Sequence, residues 1–482
     1  MADYDLNVLL EFLKPDADGS VSSSNRLSSQ IYSLEALASM CSSNCSHAEE
    51  MKACGGIDLV LDLLYNATCG KLQLPCMFML ACAAEANVHV QQYLTQDKIF
   101  GLIQTAIAGN NNNDVGRTIA SFFLLSLVSR NKQGQLKIFT SGCLTQLMDQ
   151  FVNYYKMLAN SKVGKEKIKH WNIIIKTLSY SVNIPQNEMN QNIVSKLVPW
   201  IIATIHRKHS NEVTEHCCKL LSVVIENNSQ CQTIAFTSQA VEVLILLLKH
   251  SSESGNCGGE CVNALSCLLQ GEAATDQEKV KFITLGGLYL VMELIKQDLN
   301  EHWVLFHVNQ SLNLLNLCID GSGTISVSSE KIPVQKIANC VTALMDKGYG
   351  DECLNQQSIK LLSKIYNFGI KSKANVSIPK KRVKQITSKK SVCLDISGTN
   401  KAALRKMSGV FESPTDKVHV HLKRSSKKSK PPIRRGQCSS VVVPHPMHSY
   451  RRYHQPKYIN HDLVSLCSEI IDSEVDRYCK KY

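Results

Sequence analysis

An Asn that ends one helical run and opens another recurs along the chain, at Asn44, Asn87, Asn131, Asn183 and Asn228, spaced 43, 44, 52 and 45 residues apart. In "LVSRNKQGQLKIFTSGCLTQLMDQF" (127–151) the Asn is followed by a Gln four residues on, then by Leu144, Leu147, Met148 and Phe151. That i, i+3, i+4, i+7 spacing puts four apolar side chains on one helical face. The pattern returns in Ile57/Val60/Leu61/Leu64, in Val241/Leu244/Ile245/Leu248 and in Leu288/Val291/Met292/Ile295. Gly55-Gly56 and Gly286-Gly287 supply the permissive backbone that a sharp bend between two helices needs. A longer helix closes each unit, as in "RTIASFFLLSLVS" (117–129) and "EHCCKLLSVVIEN" (215–227).

Three helices repeating every 43–45 residues predict an all-α, armadillo-type helical-repeat solenoid over 1–370. The 52-residue interval is assigned to a polar insertion at 153–170, and the alternative is an all-α bundle with coincidental spacing. "DLNVLLEFLK" (5–14) and "NQQSIKLLSKIYNFGI" (355–370) are the expected end caps. Third helices are expected to line a concave groove. An Asn in a Leu-x-Asn-Leu phrase there would bond an extended peptide backbone. The matching positions read "LLSL" (124–127), "LLSV" (220–223) and "LLNL" (314–317), so most of that Asn ladder is missing.

Charge divides the chain. Residues 371–460 hold 22 Lys/Arg against 3 Asp/Glu, whereas residues 1–370 hold 28 against 33. An acidic, apolar-rich body thus precedes a basic Ser/Pro/Lys/Arg-rich linker over 371–459, for which disorder is expected. Within it "PKKRVK" carries Lys380, Lys381, Arg382 and Lys384, the pattern of a nuclear-import signal; a solvated linker is the alternative. A second basic block lies at 423–435, and non-specific phosphate contact stays open, without sequence reading. The last residues, 460–482, form an amphipathic pattern. Leu463, Leu466, Cys467, Ile470 and Ile471 make an apolar stripe that Val475 and Tyr478 extend, with Asp462 as a cap. So isolated a helix is marginal in water and needs a partner or a groove on its own solenoid.

Several function classes find no support. The start "MADYDLNVLL" lacks a basic n-region ahead of an apolar stretch, and the longest apolar runs, such as "VLILLL" (243–248), fall well short of a membrane span. The 20 cysteines are therefore expected to be reduced, most of them as small core hydrophobes such as Cys82, Cys143, Cys217, Cys218, Cys267 and Cys318. "CGGEC" (257–261) has a C-x3-C spacing but no second ligand pair at zinc-site distance. His419, His421, His445, His448 and His454 lie without a framing element and read as incidental. With no phosphate-binding loop, dinucleotide fingerprint or metalloprotease motif, neither enzyme chemistry nor a cofactor or metal is expected.

Four stretches carry a more specific resemblance: "DLNVLLEFLK", "SLVSRNKQGQ…SGCLTQL", "VNIPQNEMNQN" (182–192) and "LCSEIIDSEV" (466–475). In these the chain resembles the telomere repeats-binding bouquet formation protein 1 family. The resemblance implies a meiotic scaffold that joins telomeres to the inner nuclear membrane for chromosome movement, homologue pairing and synapsis. The implied partners are a second bouquet formation protein, a membrane-anchored junction protein, a SUN-domain protein and a telomere-repeat-binding shelterin factor. Membrane contact would come only through them. The family continues into a Myb-type domain, whose core needs regularly spaced aromatics. Trp171, Trp200 and Trp303 all fall in the repeats, so no Myb-type domain and no sequence-specific DNA binding is expected from this chain. The contact with the second bouquet protein is expected at 460–482. A general armadillo adaptor for transport or ubiquitin-ligase substrates is the competing class.

Overall fold

The computed structural model describes residues 6–14, 23–66, 70–109, 114–160, 164–207 except 184, 210–254, 257–296, 303–320, 333–347 and 351–372. Every regular element among them is helical. Two helices open the chain, α1 (Leu6–Leu13) and α2 (Ser23–Ser43). Six three-helix units follow. The first is α3 (Cys45–Ala53), α4 (Gly56–Asn66) and α5 (Gly70–Ala86); the second is α6 (Val88–Leu94), α7 (Asp97–Ala108) and α8 (Asp114–Val128). The third is α9 (Lys132–Thr140), α10 (Cys143–Asn160) and α11 (Lys165–Val182). In the fourth, α12 (Glu188–Val194) leads through a 3-10 turn (Ser195–Leu197) into α13 (Val198–Arg207) and α14 (Asn211–Ile225). The fifth is α15 (Ser229–Thr237), α16 (Ala240–Ser254) and α17 (Gly258–Gln270); the sixth is α18 (Asp276–Thr284), α19 (Gly287–Lys296) and α20 (Trp303–Asp320). Helices α21 (Val334–Lys347) and α22 (Glu352–Ser372) close the stack.

Packing runs in two ladders. The long third helices stack in the order α2, α5, α8, α11, α14, α17, α20, α22, and the second helices α7, α10, α13, α16, α19, α21 stack beside them. This is the armadillo arrangement expected from the period. All four apolar stripes are buried, and the expected end caps are α1, which buries Leu6, Leu9, Leu10 and Leu13, and α22. Aromatic pairs reinforce the packing: within the third-helix ladder Phe78 meets Phe122 at 6.2 Å between ring centroids, and across the two ladders Phe151 meets Trp171 at 5.5 Å. Cys82, Cys143, Cys217, Cys218 and Cys318 are buried free thiols, while Cys267 is only partly covered.

The Asn anchors are helix N-caps. Asn44, Asn87, Asn131 and Asn228 each accept a hydrogen bond from a backbone N–H of the following first turn. The fourth anchor differs from expectation. Asn187 caps α12, and Asn183 instead ends α11 and donates its amide to Glu226 Oε2 at 3.0 Å. The expected insertion at 153–170 is likewise helix lengthening: α10 runs to Asn160, and α11 starts at Lys165. Residues 183–187 add the rest of the offset between α11 and α12.

Four residues after the cap sits a buried Gln that does for one helix end what Asn does for the other. Gln91 Nε2 donates to Ser126 O (2.7 Å) and Ser129 O (2.8 Å), at the end of α8. Gln135 does the same to Tyr180 O (2.9 Å) and Asn183 O (3.0 Å), and Gln191 to Val223 O (2.8 Å) and Glu226 O (3.1 Å). Gln232 is turned: its Nε2 donates to Ile225 O (3.0 Å) and its Oε1 accepts from Ala273 N (3.4 Å). The last carbonyls of a helix have no intrahelical donor, and here they are buried under the next unit. One amide satisfies two of them.

The approach this requires is close. A Cβ on Gly134 would lie 2.1 Å from Leu127 O, so only Gly lets α9 seat against the end of α8. At the bend between first and second helices, Gly55, Gly142 and Gly286 adopt φ of +77°, +78° and +85°, and Gln239 takes the same left-handed region at φ 61°.

Gln135→Ala is expected to destabilise the chain by roughly 2–3 kcal/mol, since two buried carbonyls lose their donor. Gln133→Ala, an exposed neighbour, should stay within about 0.5 kcal/mol. Denaturant unfolding of the two variants checks the contrast.

Candidate functional site

The third-helix face is where a repeat protein of this kind would carry a ligand ladder, and its serines are bonded to their own helix backbone. Ser126 donates its hydroxyl to Phe123 O at 2.7 Å, and Ser222 donates to Lys219 O at 2.8 Å. The two serines are not equivalent positions. Counted back from the left-handed residues Arg130 and Asn227 that end the two units, Ser126 lies four residues away and Ser222 five. An Asn does join third helices, but at a place the Leu-x-Asn-Leu phrase does not mark: Asn263 on α17 donates to Ser222 Oγ on α14 at 3.2 Å. Asn316, the one Asn that fits the phrase, is partly buried, with Oδ1 enclosed and unpartnered.

Of the carboxyls on the third helices, Glu85 and Glu215 are half-buried and Glu260 is buried. Burial pushes the Glu85 carboxyl from 4.5 up to about 7, with Lys176 pulling it part of the way back. Glu215 is raised by burial and by the neighbouring Glu260. Glu260 is raised by burial, against the pull of Lys219 and a hydrogen bond from Asn263. Histidines move the other way. Burial drives His170 and His216 down to about 3 and His307 to about 4, so all three are neutral, and His170 Nδ1 lies 2.7 Å from Tyr154 Oη. Thiols follow the same rule, Cys41, Cys76 and Cys318 rising to about 12 through burial. Burial thus favours the neutral form of these histidines and thiols, while Glu85 is brought close to neutrality.

The C-x3-C pair is spent internally: Cys257 Sγ donates to Asn211 O (3.1 Å) and Cys261 Sγ to Leu244 O (3.0 Å). Among the described residues no group of three or more His, Cys, Asp or Glu is placed to hold a metal ion. None of their single helices is long and apolar enough to cross a membrane.

The second-helix side offers a different surface. Between α13 and α16 runs an open cleft of about 450 Å³, its apolar wall made by Ile202, Ala203, Val243 and Leu246. Leu246 is 40% exposed. Glu242 at the cleft pairs with Lys281, and Arg207 stacks over Tyr155 at 4.4 Å. Sequence reasoning missed this cleft because its walls are about forty residues apart and each reads as an ordinary amphipathic helix. The import residues Lys380, Lys381, Arg382 and Lys384, and the stripe Leu463, Leu466, Cys467, Ile470, Ile471, Val475 and Tyr478, lie outside the described residues.

Glu85 supplies a pH test. Its folded-state pKa is raised, so its contribution is fully present below about 4.5 and lost as pH rises through about 7. Glu85→Gln is expected to leave stability unchanged at pH 4 and to raise it by roughly 1–3 kcal/mol at pH 8, read from thermal unfolding at both values.

No family model matches the chain. A crystal structure of an engineered protein superposes with a TM-score of 0.54 at 14% identity, covering 84% of this chain and 98% of that one, which supports the helical-repeat fold. Two curated relatives share sequence: the mouse protein is 25% identical over 303 residues and the human protein 24% over 301, each match covering 62% of this chain. The matched span is 38% and 40% of the length of those relatives. Because 303 residues exceed the length of everything beyond Ser372, the similarity necessarily runs through the solenoid. Both relatives are named telomere repeats-binding bouquet formation protein 1, and it is this protein that the chain resembles.

Proposed function

We propose that the chain is a non-enzymatic scaffold acting at telomeres in meiotic nuclei. The observation that carries this is the match of 303 residues to a telomere repeats-binding bouquet formation protein, lying across the solenoid. The character of the surface agrees with it: between α13 and α16 an apolar cleft lies open to solvent, which suits engagement of partners by shape and apolar contact. In this reading the scaffold helps to hold telomeres at the inner nuclear membrane for chromosome movement, homologue pairing and synapsis. It reaches the membrane through partners: the second bouquet formation protein, the junction protein, the SUN-domain protein and the shelterin factor. Lys380, Lys381, Arg382 and Lys384 serve import, and the stripe from Leu463 to Tyr478 supplies the contact with the second bouquet protein.

A tagged full chain in early meiotic prophase is expected to form foci on the telomeric-repeat signal at the nuclear periphery. Replacing Lys380, Lys381 and Arg382 with Ala should lower the nuclear fraction. A diffuse cytoplasmic distribution of the unmodified chain would instead favour the general adaptor.

Capture of the second bouquet protein by the full chain tests the partner assignment. Ile470→Asp combined with Ile471→Asp places two charges in the apolar stripe and should abolish capture, whereas Glu469→Ala should not. Equal capture by both variants would put the contact elsewhere.

A further inference from the structure

We propose that, while the chain is without its partner, the cleft between α13 and α16 is the docking site for this chain's own C-terminal amphipathic segment, residues 460–482; the proposal rests on the partner reading above, since binding of the second bouquet protein to the same stripe would displace the segment from the cleft.

The cleft runs along two neighbouring second helices. Ile202, Ala203 and His206 line it from α13, and Val243 and Leu246 from α16. These positions recur at helical spacing, so the cleft lies lengthwise along both helices. From Pro199 to His206 it extends about two turns, roughly 11 Å. The apolar stripe Leu463, Leu466, Cys467, Ile470, Ile471 follows i, i+3, i+4, i+7, i+8 and also covers about two turns, roughly 12 Å. A ridge of that length laid into a trough of the same length is helix-in-groove recognition.

Charge does not oppose this occupant. Glu242 already has its counter-ion in Lys281, so the cleft adds no unanswered negative charge. Residues 461–482 carry Asp462, Glu469, Asp472, Glu474 and Asp476 against Arg477, Lys480 and Lys481. With a net charge of −2, the segment meets no unpaired carboxylate in the cleft lining.

Length permits the contact. Two second-helix steps, roughly 16–20 Å at 8–10 Å each, separate α16 from α21. The residues between Ser372 and Asp462 reach up to about 300 Å when extended. Burying Leu246 and the stripe against each other covers two apolar surfaces that otherwise face water.

Hydrogen exchange of the full chain at low concentration, read over 460–482, tests the proposal. Amides of 463–478 are expected to exchange at least tenfold more slowly than an unstructured segment of that sequence. Leu246→Glu in the cleft and Ile470→Asp in the segment should each remove the protection. Ala203→Glu provides a second cleft variant should Leu246→Glu unfold the solenoid, as circular dichroism would show. Three results would overturn the proposal: no protection in the unmodified chain, protection that survives both cleft variants, or protection that falls on dilution, which would make a second copy the occupant. Telomere localisation is read separately, so failure here leaves the functional reading standing, and the reverse.

Discussion

The stack depends on how buried helix ends are satisfied. A three-helix unit can bury its third helix along the whole length only if the last-turn carbonyls find donors inside the protein. Gln91, Gln135 and Gln191 each give one amide to two such carbonyls. Each lies four residues after the Asn that caps its own helix. Cap and Gln therefore share one face of a short first helix, and a seven-residue helix such as α6 or α12 is long enough to do both tasks. The close approach of α9 to Leu127 O, possible because position 134 has no Cβ, belongs to the same arrangement.

Burial on the third-helix side has a chemical consequence. Where side chains are desolvated, carboxyls and thiols are pushed up and histidines down, which in each case favours the neutral form. Glu85, Glu260, His170 and His216 illustrate this from four different third helices. That face is built for stacking. The second-helix side is looser, and between α13 and α16 it leaves an apolar cleft open to solvent.

Much of the fold was legible in the sequence because the repeat writes local signals many times over. The Asn caps, the apolar stripes and the two Gly-Gly bends each follow from the geometry of a single helix or turn. What was misread involved long-range choice. Asn183 and Asn187 both fit a cap by residue type, and only the path of α11 decides that Asn183 ends that helix and Asn187 opens the next. The polar run at 153–170 reads as an insertion into the repeat, and α10 and α11 extend into most of it. The Gln four residues after the anchor was visible in "NKQGQ" but its targets, such as Tyr180 O, lie 45 residues away. The "LLSL" and "LLSV" phrases look alike and sit one residue out of register, which only the left-handed positions Arg130 and Asn227 reveal. The import and partner segments lie beyond the described residues, so for them the sequence pattern remains the whole argument.

If the Gln brackets hold neighbouring units together, damage to one of them must be local. Native-state hydrogen exchange on the Gln135→Ala chain measures this directly. The account predicts that protection is lost around α9, α11 and the start of α12, and persists in α16, α17 and α19. Uniform loss along the stack, or unchanged protection at the end of α11, would contradict it.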